Sequence, residues 1–410
     1  MPLDLNNFAF ALKTLYPEGI PSLVYKDNPF LAMVRKNTKF FGKDMEVPLI
    51  YGHTGSESAE IAEAWDNDSN TSGVAFRITR AKNFSVARVD NEAMMASEDN
   101  SGAIIEAWKT EMDGAIQKVK NALGHAVASD GSGCIGALSS VAAGVITLTN
   151  ADDIVHYEKG DRLVSSTART GGSLDAGYGV VTKVDRDAGS FTYTAVSSWD
   201  PQVASFLFKK GTYGKRIKGV AAWLPWTKPA ANESFFGVDR SVDVVRMSGV
   251  RFDGSAMTYQ DAFISAASRV GREEGAPNYA FVAFEDYKNF ELEMADKKQI
   301  VQIEAKVKDA EGKVVATIGF EGLRIKTPRG NMDVIADKNF QRGYGYGLTM
   351  DTWCLHSLGD APQVIKDPQD GKIVRRIQGT DNFGTEVAAY SQLACNAPGR
   401  NFVIKLPTAA

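Results

Sequence analysis

The clearest helix pattern in the chain lies at residues 101–128, which read SGAIIEAWKTEMDGAIQKVKNALGHAVA. Its apolar residues recur every three or four positions, a spacing that gathers them on one face of a helix. They are Ile104, Trp108, Met112, Ile116, Val119, Leu123 and Ala126. Asn100 or Ser101 suits the N-cap, and Gly131 follows the helix. At about 1.5 Å per residue it spans about 42 Å, so it needs a long partner surface.

The residues before this helix predict a long hairpin over 43–89 that projects from the rest of the chain. Both strands show the period of two that is typical of strands. The alternating apolar residues are Met45, Val47, Leu49 and Tyr51, then Val74, Phe76, Ile78, Phe84 and Val86. The polar stretch between them, residues 53–73, is too long for a loop inside a compact domain. It contains no Lys or Arg and has five acids, Glu57, Glu60, Glu63, Asp66 and Asp68, so its net charge is −5.

Two further segments differ in character from the hairpin and the helix. Residues 1–42 predict an arm, because Pro2, Pro17 and Pro29 interrupt its apolar residues. Residues 137–213 are rich in Gly, Thr and Ser, with short β-branched runs between regularly spaced turn signals. This pattern predicts a small antiparallel sheet or barrel, inserted as a separate domain. We expect the ends of the insertion to lie close together in space, and the domain to lie on an outer surface.

The remainder of the chain predicts a mixed region of helices and strands. A helix is expected over about 258–273, a buried strand over 279–282 and an amphipathic helix from 284 onward. A basic stretch, residues 201–232, precedes them. It has six cations and no acid. Its candidate surface residues are Lys209, Lys210, Lys215, Arg216 and Lys218.

Composition excludes several classes of protein. The chain has 410 residues with 46 Lys and Arg against 50 Asp and Glu, a net charge of −4, so no global basic charge indicates a nucleic-acid binder. Three scattered cysteines, Cys134, Cys354 and Cys395, favour a reducing compartment over a disulfide framework. Asp4 precedes the first cation, Lys13, so no secretory signal peptide is expected. No apolar run approaches the roughly 20 residues that span a membrane.

Motifs of catalysis and metal binding are weak. Residues 66–70, DNDSN, resemble the start of a calcium loop but lack its later Gly and Glu, and we interpret them as a solvated hairpin tip. Cys354 and His356 lack a second ligand pair and are interpreted as core residues. The glycines of residues 343–347, GYGYG, predict a turn with aromatic packing rather than a phosphate loop. We therefore predict no catalytic residue, no metal site and no cofactor, and expect a structural protein rather than an enzyme.

The order of these elements resembles that of tailed-bacteriophage major capsid proteins of the Hong Kong 97 type. Local sequence also resembles the family at residues 278–290 (NYAFVAFEDYKNF), 322–325 (GLRI), 332–335 (MDVI), 388–394 (AAYSQLA) and 401–404 (NFVI). The resemblance implies an α+β, Hong Kong 97-like capsid fold with an inserted β-rich domain. Its parts would be an N-arm, an extended hairpin called the E-loop, a P-domain with a long spine helix, and an A-domain.

The resemblance also implies boundaries for these parts. They are the N-arm at 1–42, the E-loop at 43–89, the P-domain with the spine helix at 90–136, the inserted domain at 137–213, the continued P-domain at 214–283, the A-domain at 284–385 and closing strands at 386–410. The family's function implies a self-assembling icosahedral shell of hexamers and pentamers around a double-stranded DNA genome. Implied partners are the chain itself, scaffolding and portal proteins, a decoration protein and non-specifically packaged DNA, without a membrane. The implied location is the virion, and the host cytoplasm during assembly.

Two other functions stay open at this point. One is an encapsulin-like bacterial compartment of the same fold, which would enclose proteins rather than a genome. The other is a soluble enzyme whose site the sequence does not reveal. For the shell reading we expect the five acids of the hairpin tip to contact the five cations Lys209 to Lys218 on a neighbouring subunit. The alternative for both groups is a solvated face, or, for the cations, a face toward packaged DNA.

Overall fold

The structure is a computed structural model, and it describes residues 27–90, 101–294, 299–308, 314–366, 371, 373–377 and 379–407. The chain forms two compact units: residues 1–128 together with 223–410, and residues 129–222. Most of the predicted arm, residues 1–26, lies outside the described residues, as do Asn100 and its neighbours back to residue 91. The fold is α+β, as the sequence predicts.

The described residues contain helices and strands that we number in chain order. The α-helices are α1 (Pro29–Met33), α2 (Ile61–Asp66), α3 (Ser101–Ala128), α4 (Val220–Trp223), α5 (Val244–Ser248), α6 (Tyr259–Gly271) and α7 (Phe284–Met294). The first twelve strands are β1 (Arg35–Asn37), β2 (Asp44–Gly52), β3 (Ser72–Thr79), β4 (Ala81–Asp90), β5 (Cys134–Ala142), β6 (Val145–Leu148), β7 (Arg162–Ser166), β8 (Tyr178–Asp185), β9 (Ser190–Val196), β10 (Phe206–Lys209), β11 (Ser234–Phe235) and β12 (Val238–Asp239). The others are β13 (Val250–Asp253), β14 (Tyr279–Val282), β15 (Ile300–Lys308), β16 (Val314–Thr327), β17 (Gly330–Ala336), β18 (Tyr344–Leu348), β19 (Trp353–Ser357), β20 (Gln363–Val364), β21 (Arg375–Arg376), β22 (Asn382–Cys395) and β23 (Phe402–Lys405). Short 3₁₀ helices cover Ala151–His156, Met350–Thr352 and Pro398–Arg400.

The hairpin forms, but it is shorter than predicted. Strands β2 and β3 pair antiparallel from Asp44 opposite Thr79 to Gly52 opposite Ser72. The expected return strand ends at residue 79, and residues 81–90 pair with β22 in another sheet. The physical reason is that β3 already pairs with β2 from Gly52 back to Asp44, the first residue of β2. The backbone N–H and C=O groups of β4 must therefore find their hydrogen-bond partners on another strand. Phe84 and Val86 of β4 are consequently 54% and 45% exposed instead of lining the hairpin.

The long helix occupies Ser101–Ala128, as predicted. Its buried residues Met112 and Val119 pack in one cluster with Val387 and Ala389 of β22. This sheet has the order β1-β19-β22-β20, and β4 and β21 also pair with β22. The long antiparallel pairing of β4 with β22 thus supplies the extended surface that a helix of this length requires.

Part of the predicted arm belongs to the subunit's own core. Phe30 and Leu31 of α1 and Phe40 are buried, and the Phe30 ring meets the rings of Phe281 and Trp353 edge-on at centroid distances of 5.4 and 6.3 Å. These side chains of the predicted arm therefore pack within the same chain, and the arm at residues 1–42 otherwise stays a prediction.

The second large sheet has seven strands in the order β13-β23-β18-β14-β17-β16-β15. Helices α6 and α7 contribute Phe263 and Phe290 to its core. The predicted boundary at residue 283 falls between β14 and α7, although strands from both sides of that boundary pair in this sheet. The closing segment 386–410 is likewise shared, since β22 lies in the first sheet and β23 in the second.

The second unit is a closed antiparallel barrel with the order β10-β5-β6-β9-β8-β7. Its interior includes Leu138, Phe191 and Leu207, all nearly or fully buried. The two ends of the inserted segment lie side by side, and Gly214 N donates to Ser132 O at 2.8 Å. This closeness is what an insertion between two neighbouring points of a fold requires.

Candidate functional site

The hairpin ends in a segment of residues 53–71, which we call the tip. Its neck is closed by hydrogen bonds in which Gly55 N and Thr54 Oγ1 donate to Ser69 O at 3.1 and 2.9 Å, and Ser69 Oγ donates to Gly55 O at 3.0 Å. Beyond the neck lies the six-residue helix α2. The tip is therefore an ordered element with a defined surface.

All five predicted acidic residues of the tip are exposed: Glu57, Glu60, Glu63, Asp66 and Asp68. None of them forms an ion pair with the described part of the chain. Helix α2 also presents Ile61 and Trp65, whose exposed fractions are 80% and 76%. A large exposed Trp beside an exposed Ile costs solvation free energy in an isolated subunit. The tip thus combines a negative charge with apolar side chains that have no core of their own.

The predicted basic residues lie in the barrel unit, and several are already engaged. Lys209 pairs with Asp161 at 3.0 Å, and Lys210 Nζ lies 3.9 Å from the centroid of the Tyr178 ring. Burial lowers the pKa of Arg216. Lys215 is exposed, and Lys218 is half-buried. The structure therefore divides the five cations into engaged, half-buried and exposed members rather than presenting one uniform patch.

A second cationic surface is not apparent from the sequence. A cavity of about 320 Å³ lies beside the outer part of β2, and we call it the arginine pocket. It is lined by Leu49, Ile50, His53, Arg246, Arg272, Glu273, Glu274, Ala397, Gly399 and Arg400. These residues come from four separate parts of the chain, so no periodicity or motif connects them. A sequence signal exists only for single members, such as the Arg-Glu-Glu run that follows α6.

Hydrogen bonds and ion pairs hold one side of the arginine pocket in place. The Arg246 guanidinium donates to Tyr51 O of the hairpin and lies 3.4 Å from the Glu273 carboxylate. Arg400 lies 3.8 Å from Glu274. Arg272 is exposed and has no ion pair among the described residues. The pocket wall is therefore fixed to the hairpin, while its rim keeps one uncompensated cation.

The remaining sequence candidates are packing residues. Cys354 and Cys395 are buried, and burial raises the pKa of Cys395 to about 12. Within the described ranges, no group of three or more His, Cys, Asp or Glu side chains could hold a metal ion. Residues 66–70 are exposed on the tip, as interpreted.

The glycine-rich run at residues 343–347 needs a correction. The sequence predicts a turn there, but Tyr344–Leu348 is strand β18 inside the seven-stranded sheet. A Cβ on Gly347 would lie 2.0 Å from the Phe402 ring, and one on Gly345 would lie 3.2 Å from the Phe263 ring. The glycines thus permit close approach of aromatic rings rather than a change of chain direction.

Among the described residues, no helix has both the length and the apolar character needed to cross a membrane. No family model matches the chain, and no curated protein does.

Among solved structures, several shell proteins are similar in chain path. The capsid asymmetric unit of cyanophage A-1(L) has 11% identity over 96% of this chain and 94% of its own, with a TM-score of 0.48. The capsid of the native GTA particle has 8% identity over 92% and 89%, with a TM-score of 0.43. The SrpI encapsulin of Synechococcus elongatus PCC 7942 has 8% identity over 93% and 91%, with a TM-score of 0.44. At such identities the likeness assigns no functional residue, so residue roles rest on the geometry of this chain.

Proposed function

We propose that this chain is the major shell subunit of a double-stranded DNA bacteriophage and assembles with itself into an icosahedral capsid. The observation that carries the proposal is the tip at the end of the hairpin, where five exposed acids form no ion pair with the described residues and Trp65 is exposed. Helix α2 at the tip has six residues and buries none of them, and so short a helix is marginally stable in water by itself. It becomes stable when a neighbouring subunit covers it, as in the large interfaces of obligate assemblies.

The arrangement of the rest of the chain supports the same function. Helix α3 packs on the sheet that contains β4 and β22, and helices α6 and α7 pack on the seven-stranded sheet, so each sheet has a core of its own. A shell is built from symmetric, repeated contacts, and each copy here offers a projecting element for such contacts. The role is structural, and it needs no catalytic residue or cofactor.

The proposed partners follow from this role. The chain would pack with itself as hexamers and pentamers, with a scaffolding protein during assembly, a portal protein at one vertex and a decoration protein on the outer surface. The inserted barrel would lie outside the shell, and the packaged DNA would be held without sequence preference. The subunit would be found in the virion, and in the host cytoplasm while it assembles.

Electron microscopy of the purified protein tests the proposal directly. We expect closed shells, and particles from infected cells should contain DNA. A protein that stays monomeric would overturn the proposal. Closed shells that contain protein cargo and no nucleic acid would overturn the phage assignment in favour of a bacterial compartment.

Charge reversal tests whether the tip makes the shell contact. Glu60→Lys with Glu63→Lys should impair assembly at low salt while the subunit stays folded, because both acids are exposed and form no ion pair with the described residues. A matched control is Asp351→Lys with Asp360→Lys, which changes the charge equally at exposed acids outside the tip. Since a single exposed ion pair contributes only about 0–1 kcal/mol, the effect depends on repetition over the shell and should weaken as salt screens it. Normal assembly of the tip variant would remove the tip from the contact.

A further inference from the structure

We propose that the tip of one subunit docks into the arginine pocket of a neighbouring copy, with Trp65 as the anchor. This inference rests on the proposed function, because it names the partner surface for the same tip. It differs from the expectation drawn from sequence, which placed the partner surface at the cations Lys209 to Lys218 of the barrel.

The tip offers two kinds of contact on one short helix. Trp65 and Ile61 are the most exposed large apolar side chains of the hairpin, and they are four positions apart, which places them on the same face of α2. Glu60, Glu63 and Asp66 flank them and are exposed. A complementary surface must therefore present an apolar depression with a cationic rim.

The arginine pocket has both properties. Leu49, Ile50 and Ala397 supply apolar lining, and the cavity of about 320 Å³ has room for a large aromatic side chain. Its three arginines outnumber its two glutamates. Arg272 is the exposed cation without a described ion-pair partner, so the rim is open to an incoming carboxylate.

The barrel surface fits the tip less well. Lys209 is paired with Asp161, and the Tyr178 ring is approached by both Lys210 and Arg162 at 3.9 and 5.5 Å. An incoming acid would compete with Asp161, and an incoming indole would have to displace cations from Tyr178. Lys209 and Lys210 are thus engaged already, which leaves Lys215 as the exposed cation of this surface without a described ion pair.

Docking of the tip into the pocket would join two different surfaces of the same chain. Such a contact is heterologous, so each copy gives one tip and receives another. A heterologous contact closes into a ring when the rotation between copies divides a full turn. This geometry suits pentamers and hexamers better than an isolated two-fold dimer.

Photo-cross-linking tests the contact in assembled shells. A photo-reactive phenylalanine analogue replaces Ile61, and shells are assembled from a mixture of isotopically heavy and light subunits so that cross-links between copies are identified by mass. We expect mixed-mass cross-links from position 61 to peptides that contain Leu49 to His53, Arg272 to Glu274 or Ala397 to Arg400. Cross-links to residues 209–218, or to any other surface, would overturn the inference.

Variants give a second, independent readout. Arg272→Glu with Arg400→Glu should raise the subunit concentration needed for half-assembly about tenfold or more, as should Trp65→Ala. Combining the pocket variant with Glu60→Lys and Glu63→Lys should restore part of the loss. The matched control, Lys210→Glu with Lys215→Glu on the barrel, should leave assembly near normal.

The outcomes separate this inference from the function on which it rests. Absence of shells from the unaltered protein would overturn the proposed function and the docking with it. Normal shells from a folded Arg272→Glu, Arg400→Glu variant would overturn the docking alone, and so would impaired assembly confined to the barrel variant.

Discussion

A buried carboxylate next to helix α1 gives the sharpest stability prediction. Asp337 follows β17 and is 2% exposed. Its carboxylate accepts hydrogen bonds from Asn339 N and Asn339 Nδ2 at 2.9 and 2.8 Å and from Phe30 N at 3.4 Å. Burial raises the pKa of Asp337 from 3.8 to about 6, although these hydrogen bonds and the nearby Lys338 act in the opposite direction. The perturbation is Asp337→Asn, which removes the titration and keeps the size of the side chain.

The sign and size of the effect follow from the two pKa values. Below about pH 4 the carboxyl is protonated in the folded and unfolded states, so it contributes no pH dependence. Between about pH 4 and 6 the folded state keeps a proton that the unfolded state has lost, so the free energy of unfolding falls as pH rises. Above about pH 6 both states are ionised and the full cost remains. A pKa rise of about two, at about 1.4 kcal/mol for each, makes that cost about 3 kcal/mol for Asp337.

Urea unfolding of the unassembled subunit at about pH 4, 5, 6 and 7 measures this effect. The amide introduced by Asp337→Asn has one acceptor oxygen fewer, and the loss of one hydrogen bond costs about 1 kcal/mol at every pH. The difference in unfolding free energy, variant minus unaltered protein, should therefore rise by about 3 kcal/mol from pH 4 to pH 7. Asp351→Asn, at an exposed carboxylate, is the control and should run parallel to the unaltered protein. Parallel curves for Asp337→Asn as well would refute the reasoning, because they would mean that the carboxyl carries no burial cost.

Three other predictions concern packing and the inserted domain. Trp223→Ala, which removes a fully buried indole, should lower the free energy of unfolding by about 3–5 kcal/mol in urea titrations, and a loss below about 1 kcal/mol would contradict its core position. Gly347→Ala should lower the melting temperature sharply, because the new Cβ would lie 2.0 Å from the Phe402 ring, whereas Gly319→Ala has open space and should melt normally. Residues 129–222 expressed alone should unfold cooperatively with near-UV circular dichroism typical of a packed core. A broad, non-cooperative transition would contradict that independence.

The sequence predicts those elements whose pattern and partner are both local. Helix α3 is predictable over its full length, since a 3–4 spacing maintained over 28 residues is compatible with little else. The β2–β3 pairing is predictable because an alternation of apolar residues is present on both sides of a polar tip. The turn spacing of the β-rich segment indicates its strands, and the exposure of the five tip acids agrees with the charge pattern.

The rest depends on contacts between distant residues. The alternation of Phe84 and Val86 looks the same whether residues 81–90 continue the hairpin or pair with β22, and only the filled length of β2 decides between them. The glycines of β18 carry a turn signal, yet the ring of Phe402, far away in the sequence, explains Gly347. The arginine pocket joins four segments whose closeness no local pattern can express.

Exposed apolar side chains combine a pattern that the sequence predicts with a contact that the folded chain does not supply. When a subunit buries all of its apolar faces by itself, the apolar residues that alternate along one face of a strand are buried. Val47 and Phe76 of the hairpin are examples. Trp65 lies in a helix and Phe84 in a strand, yet these residues are 76% and 54% exposed. Burial of apolar area at about 25 cal/mol per Å² makes such exposure costly when it recurs on one molecule. The cost is removed if a second copy supplies the missing surface, so under the proposed function these positions are the ones we expect to lie in contacts between copies.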